Sequence, residues 1–507
     1  MNALYCCCIT DVWIDVSKNL QIDCDINPSY FIAWEEDIKK LNSVNITPDT
    51  FIQTVEDAWK GIGFPRNVQP YSLDEETIKK YSFEINNGIR MIDRLDPLGS
   101  HFPFTDRNYW FISLIETWVG IIDHYNLDLI ISPSVPHRVF DYALYIASHI
   151  SNCKFLMFQM TPFGDKSFII DDVKSTSNYM KQFINSQIED KVKCDDTLPK
   201  SMKTKIELVR GSYDDAIPDY MVKQNERIKS LNSIPHKFYS TFRKTLLIYK
   251  SFTVANTYRV KRYMSPEDST YNQIQLKLEK IRGGKYKKQL KKAYLQRVKP
   301  YNDKSPYILV ALHYQPEETS CPTGGAYAEQ RQIIKNLAEI FPENVNILVK
   351  EHTTQFHPDF EGEAGRSLSF YKDIEKISNR VFFVSPSLDT FELIDFASAT
   401  ITISGTIGWE SVLRGTPTLI FGRAWYEDMP GIFKIKSKKN LLDAVTKILG
   451  GYEVNDDKVY KYHCLLDNLL ISSIHYKAFE GKNISSKAES VVNLTRGISR
   501  FLKKLVP

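Results

Sequence analysis

Between residues 305 and 421 short apolar runs and amphipathic segments take turns, and that alternation leaves few architectures open. Residues 307–312, 345–350, 381–384, 400–403 and 418–421 are strand-length runs rich in Val, Ile, Leu, Phe and Thr. Between them, 326–340, 368–377, 390–396 and 407–414 carry the spacing of helices. Strands separated by helices cannot pair as hairpins; they return to the sheet in parallel, with the helices packed on its faces. A shorter alternation precedes it. Residues 108–125 predict a helix, 127–131 a buried strand, 137–150 a second helix and 154–160 a second strand, with Pro133 and Pro136 disfavouring helix in the intervening loop.

The expected fold class is therefore α/β, with two Rossmann-like doubly wound domains and a helical, basic middle segment. The bounds expected are 1–170 for the first domain, 171–300 for the middle segment, 301–440 for the second domain and 441–507 for C-terminal helices. Two such domains create a crevice at the carboxyl ends of their sheets, where this class binds ligands. The balance of 65 Lys+Arg against 61 Asp+Glu argues against a dedicated nucleic-acid binder. Charge is nonetheless concentrated: residues 277–299 hold ten Lys or Arg against the lone acid Glu279. That stretch is either a solvated helical bridge or a surface for an anionic membrane. The eight cysteines include no C-x-x-C pair, which points to a reducing compartment and away from a structural metal. The N-terminus lacks the features of a signal peptide. The apolar stretch 110–122 is broken by Glu116 and is too short to span a bilayer. The expected location is cytoplasmic, with the inner face of a membrane as the alternative.

Three strand ends carry the chemistry. Residues 401–410 (Ile-Thr-Ile-Ser-Gly-Thr-Ile-Gly-Trp-Glu) run from a buried strand through Ser404, Gly405 and Thr406 straight into a helix. Hydroxyls there either cap the helix or, with the backbone N–H groups and an unobstructed glycine, receive a phosphate. Glu410, one turn in, suits ribose hydroxyls or simply favours the helix start. At 350–352, Lys350, Glu351 and His352 place two potential cations beside an acid after the second strand. The loop 313–325 holds Gln315 and Glu317 and ends in Gly324-Gly325, a backbone suited to cradling phosphate or sugar.

In order and spacing these motifs resemble the capsule polysaccharide biosynthesis and Kdo-transferase-like glycosyltransferases. Tyr314-Gln315-Pro316-Glu317 with Pro322 and Gly325, Val349-Lys350-Glu351-His352, Ser404-Gly405-Thr406 with Trp409-Glu410, and Gly415-Thr416-Pro417 before Phe421-Gly422 carry the likeness over about 300–435. Asp93-Arg94 with Asp96, and Pro136-His137 with Asp141 and Tyr145, are similar to the family's acceptor-side pattern. The resemblance implies a GT-B-like architecture, a nucleotide held by the C-terminal domain and a CMP-activated acidic sugar such as Kdo, sialic or another nonulosonic acid. It also implies a His-Pro pair and a Ser/Thr loop on the nucleotide phosphate. Here Thr353 stands where the proline is expected after His352, and His357-Pro358 is a rival match.

Lys350, Glu351, His352, Ser404, Gly405, Thr406 and Glu410 are thus the expected donor-binding set, with Gln315, Glu317, Gly324 and Gly325 toward the sugar. No metal and no cofactor are expected, because preorganised donors at the leaving phosphate lower the barrier themselves. The partners are a CMP-activated sugar and a glycan or glycolipid acceptor, with no nucleic acid. An inverting reaction needs a base, for which Asp96, His137 and Asp141 are the candidates. The alternatives are an NDP-hexose transferase, a CDP-polyol phosphotransferase, or a non-catalytic assembly scaffold docked on a membrane through 277–299.

Overall fold

Runs that are apolar on every residue become inner strands, since a parallel sheet covered on both faces has no polar side. A computed structural model of the chain describes residues 1–8, 11–44, 49–94, 104–188, 198–216, 222, 226–227, 257–259, 270–301, 304–479 and 485–505. The described residues fall into two units, one drawn from Met1–Met202 and Tyr460–Pro507, the other from Lys203–Val260 and Ser265–Val459. Among the described residues no helix is long and apolar enough to cross a membrane.

The first unit is a seven-stranded sheet. Its strands are β1 (Asn2–Cys6), β2 (Asn27–Ala33), β3 (Phe51–Thr54), β4 (Leu127–Ser132), β5 (Lys154–Met160) and β6 (Lys166–Ile170), with Ile471–Ser472 at one edge. The order β3-β2-β1-β4-β5 is parallel, and β6 and Ile471–Ser472 extend it antiparallel. The chain reverses direction across the sheet between β1 and β4, so the loops after Cys6 and Ser132 flank this unit's switch point. One face is covered by helix Lys487–Leu505, whose Val491, Leu494, Ile498, Phe501 and Leu502 pack with Trp13, Val16 and Leu20 of helix Asp11–Cys24. Ser486 and Glu489 start that helix as a reciprocal capping box, Glu489 N–H to Ser486 Oγ and Ser486 N–H to Glu489 Oε2 at 3.2 and 2.8 Å.

The second unit contains a short antiparallel pair, β7 (Thr257–Arg259) and β8 (Thr270–Asn272), and a six-stranded parallel sheet. The sheet's strands are β9 (Tyr307–Ala311), β10 (Asn346–Lys350), β11 (Val381–Phe383), β12 (Ala399–Thr402), β13 (Thr418–Ile420) and β14 (Ile432–Lys434), in the order β11-β10-β9-β12-β13-β14. The switch point lies between β9 and β12. Helices Gln330–Ile340 and Lys438–Leu449 bury Ile333, Ile334, Leu337, Leu441, Val445 and Ile448 in its core. The α/β class and the paired Rossmann-like sheets are as the alternation predicts.

Three details differ. The helix expected from 137 begins at Phe140, because Val139 turns the chain at φ 72°, a conformation a β-branched residue adopts only under constraint. The helix expected over 326–340 is split into a 3-10 turn, Gly325–Ala328, and Gln330–Ile340. The C-terminal helices are shared out, Lys438–Leu449 to the second sheet's core and Lys487–Leu505 to the first's.

Candidate functional site

In the second unit the turns leaving β9, β10 and β12 meet around two histidines. His313, two residues past β9, is buried, and its Nε2 accepts the N–H of Ile403 at 3.0 Å and of Ser404 at 3.3 Å. Thr402 Oγ1 lies 2.8 Å from the same nitrogen. A nitrogen that accepts cannot carry the proton, so the ring is the Nδ1–H tautomer. Burial, with His352 and Arg366 nearby, lowers its pKa to about 3 and keeps it neutral. Gly405 is closely packed here: a Cβ would stand 3.0 Å from Thr402 Oγ1 and 3.3 Å from the His313 ring. Ser404 Oγ donates to Thr319 O at 3.1 Å, which ties the β12 turn to the loop 313–325. Gly324 sits against that junction, where a Cβ would fall 2.4 Å from Ser320 O and 3.0 Å from the Ile403 side chain.

His352 is half-buried and opens a 3-10 turn, Thr353–Phe356, by accepting Thr354 N–H on Nδ1 at 3.2 Å. Its proton is therefore on Nε2, the nitrogen suited to donate to an anion. Burial lowers its pKa, against the pull of Glu351, so the ring is neutral. Glu351 is committed to the fold. Its oxygens receive Arg366 Nε at 3.1 Å, Tyr371 OH at 2.7 Å and His352 N–H at 2.9 Å. Arg366 in turn donates to His313 O at 2.7 Å and to the Gln315 side chain. One guanidinium thus fastens the β9 and β10 turns together. Gln315 is also held, through Nε2 to Ala328 O at 2.6 Å and its N–H to Gln355 Oε1 at 3.0 Å. Glu317 lies at the exposed end of the loop, where it accepts Thr319 Oγ1 at 2.9 Å. Gly325 takes φ 52° as the loop enters its 3-10 turn.

Lys350 turns to the other side of the strand end. Its Nζ donates to Leu388 O at 2.8 Å and to Thr390 Oγ1, and lies 5.9 Å from the Tyr213 ring centre. Burial lowers it to about 8. Glu410 shares that neighbourhood. Burial raises its carboxyl to about 7 against the Thr406 hydroxyl bond and the charges of Lys205 and Lys350. Thr406 is exposed, and its side chain caps no backbone N–H; its hydroxyl serves Glu410 instead.

In the first unit Asp141 is buried and used structurally. It accepts the N–H groups of His137 and Arg138 at 3.1 and 2.6 Å and pairs with the Arg138 guanidinium at 3.3 Å. His137 precedes the helix, so it meets Asp141 through its backbone rather than its ring. Its Nδ1 bonds Val135 O at 2.6 Å, which puts the lone pair on Nε2. Asp96 lies outside the described residues.

His313 and Arg366 are the groups that sequence reading passed over. His313 was detectable as the first histidine after a predicted strand; Arg366 lies in no motif.

Residues 219–444 match the family model described as capsule polysaccharide biosynthesis protein, which contains the motif-bearing stretch from 300 to 435. No curated protein matches the chain. Among solved structures the chain is similar to UDP-GlcNAc 2-epimerase from Neisseria meningitidis bound to UDP-GlcNAc, at 13% identity over 99% of this chain and 100% of that one, TM-score 0.21. A glycosyltransferase from Rickettsia africae aligns at 12% identity over 100% and 98%, TM-score 0.23. A beta Kdo 2,7 transferase, KpsC from Thermosulfurimonas dismutans, aligns at 10% identity over 74% and 87%, TM-score 0.28. Over residues 219–444 the chain is thus similar to the capsule polysaccharide biosynthesis protein family.

Proposed function

We propose that the chain is a metal-independent glycosyltransferase that moves an acidic sugar of the Kdo or sialic type from a CMP-activated donor to a surface polysaccharide or glycolipid. The observation that carries this reading is the convergence of the His313, His352 and Ser404 turns at the switch point of the second sheet. In glycosyl transfer, negative charge grows on the departing phosphate while the sugar turns cationic. Donors fixed in advance and aimed at that oxygen lower the barrier, each commonly by about 3 kcal/mol. His352 Nε2–H is such a donor; the Ser404–Gly405 turn, whose N–H groups bond His313 and Thr402, shapes the pocket beside it. Arg366 and His313 hold them in place, so little reorganisation accompanies the reaction. Lys350, bonded to Leu388 and Thr390 on the other side of the strand end, and Glu410 near it stand outside this donor set.

Acceptor activation falls to the first unit. His137, with Nδ1 donating to a carbonyl and Nε2 basic, has the form of a general base, whereas Asp141 is spent on backbone and Arg138. Mass spectrometry after incubation with CMP-, UDP- and GDP-activated sugars and a glycan acceptor tests the assignment. A product from the CMP-sugar arm supports it; a product only from a UDP- or GDP-sugar replaces the donor class.

A further inference from the structure

Helix Gln273–Leu295 has two opposed stripes. The inner stripe builds the donor side of the second unit. Lys287 Nζ donates to His357 O at 3.0 Å and pairs with Glu363 at 3.0 Å. Leu290 is in the core, and Tyr294 OH donates to Val384 O at 2.7 Å and accepts Glu351 N–H at 3.0 Å. Gly283 lies close on Glu363, where a Cβ would be 2.5 Å from its Oε1.

The outer stripe runs Leu278, Ile281, Lys285, Lys288, Lys292 and Leu295, spaced three and four apart and exposed throughout. Residues at that spacing share one helix face. Leu278, Ile281 and Leu295 are 52, 48 and 44% exposed, with lysines between them. Lys285, Lys288 and Lys292 form no ion pair among the described residues, whereas Lys287, on the inner stripe, does. Uncompensated cations flanked by exposed aliphatic side chains match the surface of an anionic bilayer, where charge faces headgroup phosphates and short apolar groups reach the interface.

We infer that this outer stripe docks the chain on an anionic phospholipid bilayer. The inference goes beyond glycosyl transfer and stands without it. Because the opposite stripe of the same helix holds the His357 and Glu351 loops, docking sets the donor turns at a fixed distance from the lipid surface. A polyanion such as nucleic acid offers charge but no partner for Leu278, Ile281 and Leu295.

The test is co-sedimentation of the full chain with phosphatidylcholine vesicles, with and without phosphatidylglycerol, at two salt concentrations. Binding is expected only with phosphatidylglycerol and is expected to weaken with salt. Lys285→Glu, Lys288→Glu and Lys292→Glu together are expected to weaken it about a hundredfold or more. Leu278→Ser with Ile281→Ser weakens it several-fold. The melting temperature and its shift with CMP stay as in the unaltered chain, so a failure of docking is told apart from a failure of donor binding. Equal binding to neutral vesicles, full binding by the triple variant, displacement by inorganic phosphate at matched ionic strength, or tighter binding to duplex DNA than to the charged vesicles would each overturn the inference.

Discussion

Arg366 Nε and Glu351 Oε2 pair at 3.1 Å with both side chains fully shielded from solvent, and this pair joins the turns after β9 and β10. Taking one member of a buried pair away strands the other charge, at a cost of about 3–5 kcal/mol. Arg366→Met is expected to lower the urea midpoint accordingly. Arg366→Met with Glu351→Leu recovers part of the loss, because no buried charge is then left alone, while Tyr371 OH and His352 N–H still lose their acceptor. A double variant no more stable than Arg366→Met contradicts this account of the network.

His352→Ala and Ser404→Ala address the donor site. Each removes a polar group at the converging turns while leaving the sheet core intact. Each is expected to lower the transfer rate about a hundredfold, with the melting temperature nearly unchanged. Steady-state kinetics and thermal melts on the same preparations separate the two effects.

Glu410 and Lys350 give the stability a defined pH dependence. Burial raises the Glu410 carboxyl from 4.5 to about 7. The folded state therefore holds this proton more tightly, and the group's contribution is complete below 4.5 and lost as pH rises to about 7. Burial lowers Lys350 from 10.5 to about 8, so its charging penalty is full below about 8 and relieved as pH climbs to 10.5. Glu410→Gln is expected to melt higher than the unaltered chain above pH 7 and alike near 4.5. Lys350→Met flattens the alkaline rise. Melting temperature against pH for the three proteins is the measurement.

His137 and Asp141 separate by readout. Asp141→Ala leaves two backbone N–H groups and a guanidinium without their carboxylate and is expected to cost about 3 kcal/mol or more. His137→Gln keeps a polar side chain there but no base, so it is expected to lose transfer activity without losing stability.

Much of the second sheet was legible in the sequence, because β9, β10, β12 and β13 are buried on both faces and read as continuous apolar runs between turn residues. Their ends fall within a residue or so of the expected positions, and with them Ser404, His352 and the loop 313–325. Strands β1–β3 also alternate with helices, Asp11–Cys24 and Glu35–Val44 among them, but β2 opens on Asn-Pro-Ser, β3 is four residues long with Gln53 and Thr54 in it, and β6 is an antiparallel addition, so none stands out as a continuous apolar run. The start at Phe140 was hidden by Val139, because a positive φ at a β-branched residue has no local sequence signal. Glu351 looked like a ligand for the donor because its partners, Arg366 and Tyr371, come from fifteen and twenty residues further on. Burial of a charge is decided by that tertiary pairing, and no local pattern announces it. Lys350 likewise follows β10 as expected, yet it bonds Leu388 and Thr390, contacts that only the fold creates.

Calorimetric titration of the full chain with CMP, alongside UMP and GMP, tests the central claim most directly. The account predicts saturable binding with CMP strongest, and its loss in His352→Ala and Ser404→Ala proteins that still melt cooperatively. Binding of none of the three nucleotides, or CMP binding unaffected by both substitutions, would contradict it.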